Sequence, residues 1–332
     1  MLQPIFARRV GAANTLRHPK SPPSGRPASR LGTALLLAAS LALAPLLRAA
    51  DAPKPFAPPP EDERLDKVNG IFDTDLPWTE AKGRIKIIIH PHLGDFTRRS
   101  YIRVPVGARL GVNDHVEFSA MVDPFFDHGL RQGSSGNGVG DVQFGAKYAF
   151  LRWLKPDYDA SIGLNVNIPT GHPPLEMTDG YDHYAPYIVI GRQSRKFAGL
   201  QYFASTTYDH MEKSSVRGMF QLNEPHSSNL LFGTGFVLDR FPFHYTLEVG
   251  FQTTSLVGRG NKQFAYIRPG FAWNLPRRYT FYSDTRWLVG VSVKVADGPD
   301  GLRVDSGGKV RAEFSFQRWL ARRNGADPGA TR

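Results

Sequence analysis

Seven of the serines and histidines in this 332-residue sequence are candidates for acyl transfer: Ser134, Ser135, His128, His172, His183, His210 and His226. A serine nucleophile needs a histidine base within hydrogen-bond reach and a third group to orient that base. The spacing of these seven matches no known Ser-His arrangement, and they fall in or beside polar connections, where such residues are ordinarily solvated. The stretch GSSGNGVGD (133–141) precedes a strand and lacks the following helix and lysine of a phosphate-binding loop. His90 and His92, in HPH, place two imidazoles two positions apart on a strand edge, too few ligands for a metal by themselves. The chain has no cysteine, which removes a thiolate metal site, a cysteine nucleophile, a disulfide framework and a lipoprotein anchor. The expectation is therefore no enzyme, no metal and no cofactor, and interest passes to the elements that carry these residues.

The formal charge of +11 invites a nucleic-acid reading, but seven Lys/Arg and no Asp/Glu lie within residues 1–50, and setting them aside leaves +4 for the rest. No nucleic-acid partner is expected. Residues 1–50 have the layout of a signal peptide with a long basic region, an apolar run from Leu31 to Leu47, and small residues at Ala49, Ala50 and Ala52. The run is short for a membrane helix and is broken by Pro45. Residues 51–82, dense in proline and charge, read as a periplasmic linker. Within it, residues 63–82 fit either a short helix or a plug-like segment, and the pattern is too short to choose.

From Gly83 onward alternation replaces helical periodicity. In GVGDVQFGAKYAFL (138–151), Val142, Phe144, Ala146, Tyr148 and Phe150 share one face, and Asp141, Gln143, Gly145, Lys147 and Ala149 share the other. YDASIGLNVNIPTG, HYTLEVGFQ and KVRAEFSFQRW repeat the pattern. Twelve such segments lie between residues 84 and 319, the last at 308–319. Each is at least about the 9 to 11 residues that a tilted strand needs to cross a bilayer.

The connections alternate too. VND, LKPDY, QSRKF and DRFP are short, whereas DHGLRQGSSGNG, HPPLEMTDGYDH, HMEKSSVRGMFQLNEPHSS and DGPDGLRVDSGG are long and polar. Outer-membrane barrels have this asymmetry of tight periplasmic turns and long outer loops. With the N-terminus in the periplasm, Trp153, Trp273, Trp287 and Trp319 all fall on the lower rim, where an aromatic girdle meets lipid headgroups. The reading is an all-β fold: a transmembrane antiparallel up-and-down β-barrel of about twelve strands over 83–320, with a polar tail at 321–332. Closure is the one β architecture that leaves no unpaired strand edge in hydrocarbon.

GVGDVQFGAKYAFL, followed by SIGLNVNIPTG, resembles the Gly-x-Gly-Asp strand and the Pro-Thr-Gly-ended strand of the outer-membrane transporter family linked to the meta-pathway of phenol degradation. That resemblance implies a bacterial outer-membrane pore or transporter for small solutes, aromatic or hydrophobic ones among them. Its partners would be outer-membrane lipid, the solute and the barrel-insertion machinery. A structural or adhesive barrel acting through its outer loops is the alternative, with a lipid-modifying enzyme behind it. On this register Asp141, Lys147, Glu248, Arg268, Lys294, Lys309, Arg311 and Glu313 point into the lumen. Such charges serve equally to tune which solutes cross or to brace a narrow barrel. An inward Pro186 and Ile188 would make the wall locally greasy, unless the register of HYAPYIVIGRQ differs.

Overall fold

The structure is a computed structural model. It describes residues 72, 74–130, 136–153, 157–170, 178, 180–214, 228–257, 262–276, 279, 285–298 and 301–315. The expected signal peptide, most of the linker and the polar tail lie outside the described residues.

Among the described residues thirteen strands run in chain order: β1 (Arg84–Ile89), β2 (Tyr101–Arg103), β3 (Val106–Gly111), β4 (Val116–Asp127), β5 (Gly138–Phe150), β6 (Tyr158–Ile168) and β7 (Tyr181–Gln193). They continue with β8 (Leu200–Lys213), β9 (Asn229–Arg240), β10 (Phe243–Thr253), β11 (Gln263–Asn274), β12 (Arg286–Gly298) and β13 (Gly301–Ser315). One helical turn, α1 (Asp95–Arg98), sits in the connection from β1 to β2. Both β2 and β3 pair with β4, so they form one stave interrupted at Val104–Pro105, where proline has no N–H to give the ladder. Each stave pairs antiparallel with its sequence neighbours, and β1 pairs with β13, from Arg84 opposite Ser315 to Ile89 opposite Val310. That last pairing closes a twelve-stave up-and-down barrel, as the alternation predicts.

The outer surface carries the apolar set. Phe144, Tyr148, Phe150, Ile162 and Leu164 are exposed, with Phe144 at 53%. Gln143, Gly145, Lys147 and Ala149 point the other way. Pro186 and Ile188 also face outward, Ile188 being 54% exposed, while Tyr187 and Val189 take the interior. The wall is therefore not made greasy by that pair.

Two expectations are corrected. DGPDGLRVDSGG is not a long loop, because β13 begins at Gly301 and pairs with β12 up to Gly298 opposite Gly301. Leu302 and Val304 alternate with Arg303 and Asp305, and backbone pairing to β12 outweighs the turn-like composition of that stretch. The linker expected over 51–82 ends before residue 72, and of the two alternatives left open for 63–82 its described part takes the plug-like one. Phe72 and Thr74–Ala81 lie inside the barrel, where Phe72, Leu76, Trp78 and Ala81 are buried, and Lys82 emerges exposed at the rim.

Candidate functional site

The site is the barrel interior, and a stretch from the N-terminal side of the first strand occupies it. Ala81 and Glu80 pass against Gly111 at the periplasmic end of β3, Pro77 against Gly191, Thr74 against Gly233, and Phe72 against Gly270. Each of these wall glycines stands where a Cβ would meet the segment. The chain thus climbs from the periplasmic rim to mid-barrel along a glycine-lined track. Around it an apolar cluster forms from Phe72, Leu76 and Trp78 with the inward Ala149, Leu151, Phe203 and Val237.

The predicted lumen charges are mostly buried and meet this segment. Glu248, fully buried, accepts hydrogen bonds from the Phe72 backbone N–H (2.7 Å) and the Thr74 hydroxyl (3.2 Å). Lys147 lies 3.2 Å from Glu117 and 3.4 Å from the Leu76 carbonyl oxygen. Arg268 and Lys309 lie 6.0 Å and 5.7 Å from the centre of the Phe72 ring. Glu313 bonds Arg311 (3.0 Å) and Lys86 (3.2 Å), and Lys86 also bonds Glu80 of the segment. Lys294 sits over the Tyr266 ring at 4.1 Å, and Asp141 accepts from the Asn167 amide at 3.0 Å. All eight predicted residues are therefore inward; six gather around the segment, while Asp141 and Lys294 stand apart.

Sequence reasoning missed the other half of the network. Arg109 ion-pairs with Asp75 of the segment and with Glu117 (3.3 Å), Glu117 accepts the Glu80 backbone N–H (2.8 Å), and Trp78 donates to Asp159 (2.6 Å). Arg109, Glu117 and Asp159 occupy inward positions of alternating strands, and that parity was the signal that could have found them.

Beyond the segment the interior opens. A cavity of about 350 Å³ is lined by Phe72, Thr74 and Asp75 below and by His90, His92 and Asp123 toward the outer end, with Arg109, Gln143, Asn165 and Lys309 on its walls. A second, of about 120 Å³, shares Thr74, Asp75 and Asn165 and extends past Tyr187, Ser205 and Thr207. The first outer connection folds against β13 through Gly94 N–H to the Ser306 carbonyl (3.0 Å) and Gly308 N–H to the Pro91 carbonyl (2.8 Å). There His90 and His92 stack at 5.5 Å, and His92 lies 3.8 Å from Asp305.

Of the serine and histidine candidates, Ser134, Ser135, His172 and His226 lie outside the described residues. His128 packs on Phe96, and His183 bonds Asp209 at 3.0 Å. His210 stands between Ser228 and Glu212, 3.3 Å from each. Both contacts are long for a nucleophile, base and orienting acid, and His210 and Glu212 are 44% and 58% exposed, so water competes for each bond.

On the periplasmic rim Trp273 packs with Phe243 and Tyr279, and Phe243 and Tyr245 pack with Phe271. Trp153 packs with Phe150. Trp287 stands at the lower start of β12 opposite Ala312, and Trp319 lies outside the described residues.

The chain is similar in structure to the NanC porin (10% identity, TM-score 0.46, covering 69% of this chain and 98% of that one). It is also similar to the KdgM porin in complex with disordered oligogalacturonate (10% identity, TM-score 0.40, 70% and 99%). The CymD monoaromatic hydrocarbon channel matches at 8% identity and TM-score 0.36, covering 71% and 89%. No curated protein matches the sequence. A closed barrel with an apolar outer face and a polar, partly filled interior is an outer-membrane protein on physical grounds. The model of the family described as "Putative MetA-pathway of phenol degradation" matches residues 95–306, well over half of the chain, and the protein belongs to that family.

Proposed function

We propose that this barrel is an outer-membrane channel that admits small solutes, aromatic or hydrophobic ones among them, into an outer vestibule and passes them along the charged interior wall. One observation carries this reading. The upper interior is a cavity of about 350 Å³ lined by Arg109, Lys309, Gln143, Asn165 and paired histidines instead of a packed apolar core. A barrel with a purely structural role has no need of a polar chamber of that size, whereas a passage requires groups that replace a solute's hydration without trapping it. The family's link to phenol degradation supports aromatic solutes. In this reading the protein is not an enzyme, its partners are lipid and solute, and Trp153, Trp273 and Trp287 belong to the periplasmic girdle that seats it in the bilayer.

The test is conductance of the full-length mature chain in a planar bilayer. Discrete steps are expected, and a folded protein that stays silent under every condition would sink the reading. Selectivity is read in the same cell. Combining Arg311→Ala with Lys294→Ala removes two interior cations and is expected to shift the reversal potential toward cation preference. An unchanged reversal potential in a conducting pore would reduce these two to bracing.

A further inference from the structure

The segment that fills the lower barrel is not part of the sheet. Every stave is paired without it, so its departure exposes no strand edge to lipid. Its described bonds to the wall are made by side chains at one end or the other: Glu248 to Phe72 and Thr74, Arg109 to Asp75, Lys147 to Leu76, Asp159 to Trp78, Thr79 to the Asp114 carbonyl, and Glu117 and Lys86 to Glu80. At its end stands Gly83, with φ of +71°, a left-handed conformation that glycine adopts without strain. The vestibule stops on its surface, since Phe72, Thr74 and Asp75 form the inner end of the larger cavity. Solute entering from outside therefore meets the segment before it can reach the periplasm.

We propose that Thr74–Lys82 is a gate, closed in this structure, that leaves the lumen through the periplasmic mouth by turning about Gly83. The proposal rests on the channel reading above and adds how the channel is controlled. The wall glycines form the gate's seat: Gly111, Gly191 and Gly270 leave room for Glu80 with Ala81, for Pro77 and for Phe72, so these parts of the segment lie against bare backbone, and Leu76 and Trp78 are the side chains that must leave the Phe203–Val237 cluster for it to move. Phe72, Leu76 and Trp78 hold it closed by burial, and the ion pairs fix its register. Occupancy of the vestibule is the natural trigger, because a solute there competes for Asp75 and Arg109, which both line it.

The chain has no cysteine, so an engineered pair reports cleanly. A Cβ at Gly233 would lie 3.5 Å from the Thr74 Oγ1, close to what a disulfide requires, and 2.5 Å from the Ser205 Oγ, so the pair is made together with Ser205→Ala. The experiment is single-channel recording of Thr74→Cys with Gly233→Cys, oxidised and then reduced in place, with Pro77→Cys and Gly191→Cys as a second lock should the first disturb folding. A third protein, Leu76→Ser with Trp78→Ser, loosens the gate. Oxidation is expected to reduce open probability at least tenfold, reductant to restore it, and the loosened variant to open at least tenfold more often than wild type. Oxidised locks that conduct as their reduced forms do would overturn the gate while leaving the channel standing. Silence of all the folded proteins, the loosened variant included, would overturn the channel reading and the gate with it.

Discussion

Glu248 shows how much one buried side chain decides in this molecule. It lies on the inner face of β10, out of reach of water, and its two oxygens take the Phe72 N–H and the Thr74 hydroxyl. Charged acceptors of this kind contribute more than neutral ones, so Glu248→Ala is expected to cost about 2–4 kcal/mol. Glu248→Gln, which keeps an acceptor, should cost less. Both are read from the temperature at which the folded barrel loses its compact migration in detergent gels. At the periplasmic rim, Asp157 behaves differently. Burial pushes its carboxyl up, but hydrogen bonds and charge from Arg195 (2.8 Å) and Arg192 (3.3 Å) outweigh that and hold it below the ordinary value. A lowered carboxylate stabilises the fold above its unfolded value, near 3.9, and the contribution fades as pH falls through the lower folded value. Asp157→Asn is therefore expected to cost under about 1 kcal/mol at pH 7, since Arg195 is largely exposed, and the difference from wild type should begin to shrink only below about pH 4 and vanish once the folded carboxyl is itself protonated. A gap in melting temperature that shows no decrease from pH 7 down to the lowest pH at which the barrel stays folded would contradict this.

Each strand works as a two-faced element, and the consequences of substitution follow parity. Phe144 faces lipid and its neighbour Gln143 faces the cavity. Phe144→Arg is expected to cost about 2–4 kcal/mol in refolding into vesicles, as a cation on the lipid face does, whereas Gln143→Arg should be nearly neutral. Gly235 marks a different constraint. A Cβ there would run into the Leu247 carbonyl oxygen of the paired strand and the Phe203 ring. The carbonyl belongs to the β9–β10 ladder and cannot retreat without loosening it, so Gly235→Ala is expected to lose about 1–3 kcal/mol in the same refolding measurement. Parity made the lumen charges readable before the structure; it left the register open in HYAPYIVIGRQ, which is apolar on both faces, and it failed where composition argued against it. GPDG within the β12–β13 connection reads as loop, yet Leu302 and Val304 keep the period that β12 requires of its partner.

At the scale of the whole molecule, ring closure does what no single strand can. It brings β1 beside β13, places Lys86 against Glu313, and makes a chamber out of faces that are merely polar in isolation. Local repetition alone specified the strands, their two faces, the twelve-stave count and the eight inward charges, because alternation with period two is a property of neighbouring residues. For the gate segment, local pattern left a short helix and a plug equally open. Phe72, Leu76 and Trp78 follow no strand or helix period, and Glu248, which binds Phe72, lies 176 positions away. A short irregular stretch rich in proline and charge has no local signature that separates a solvated linker from a lumen plug. Only the closed barrel, with a glycine track and buried counter-charges facing inward, decides that this one is buried.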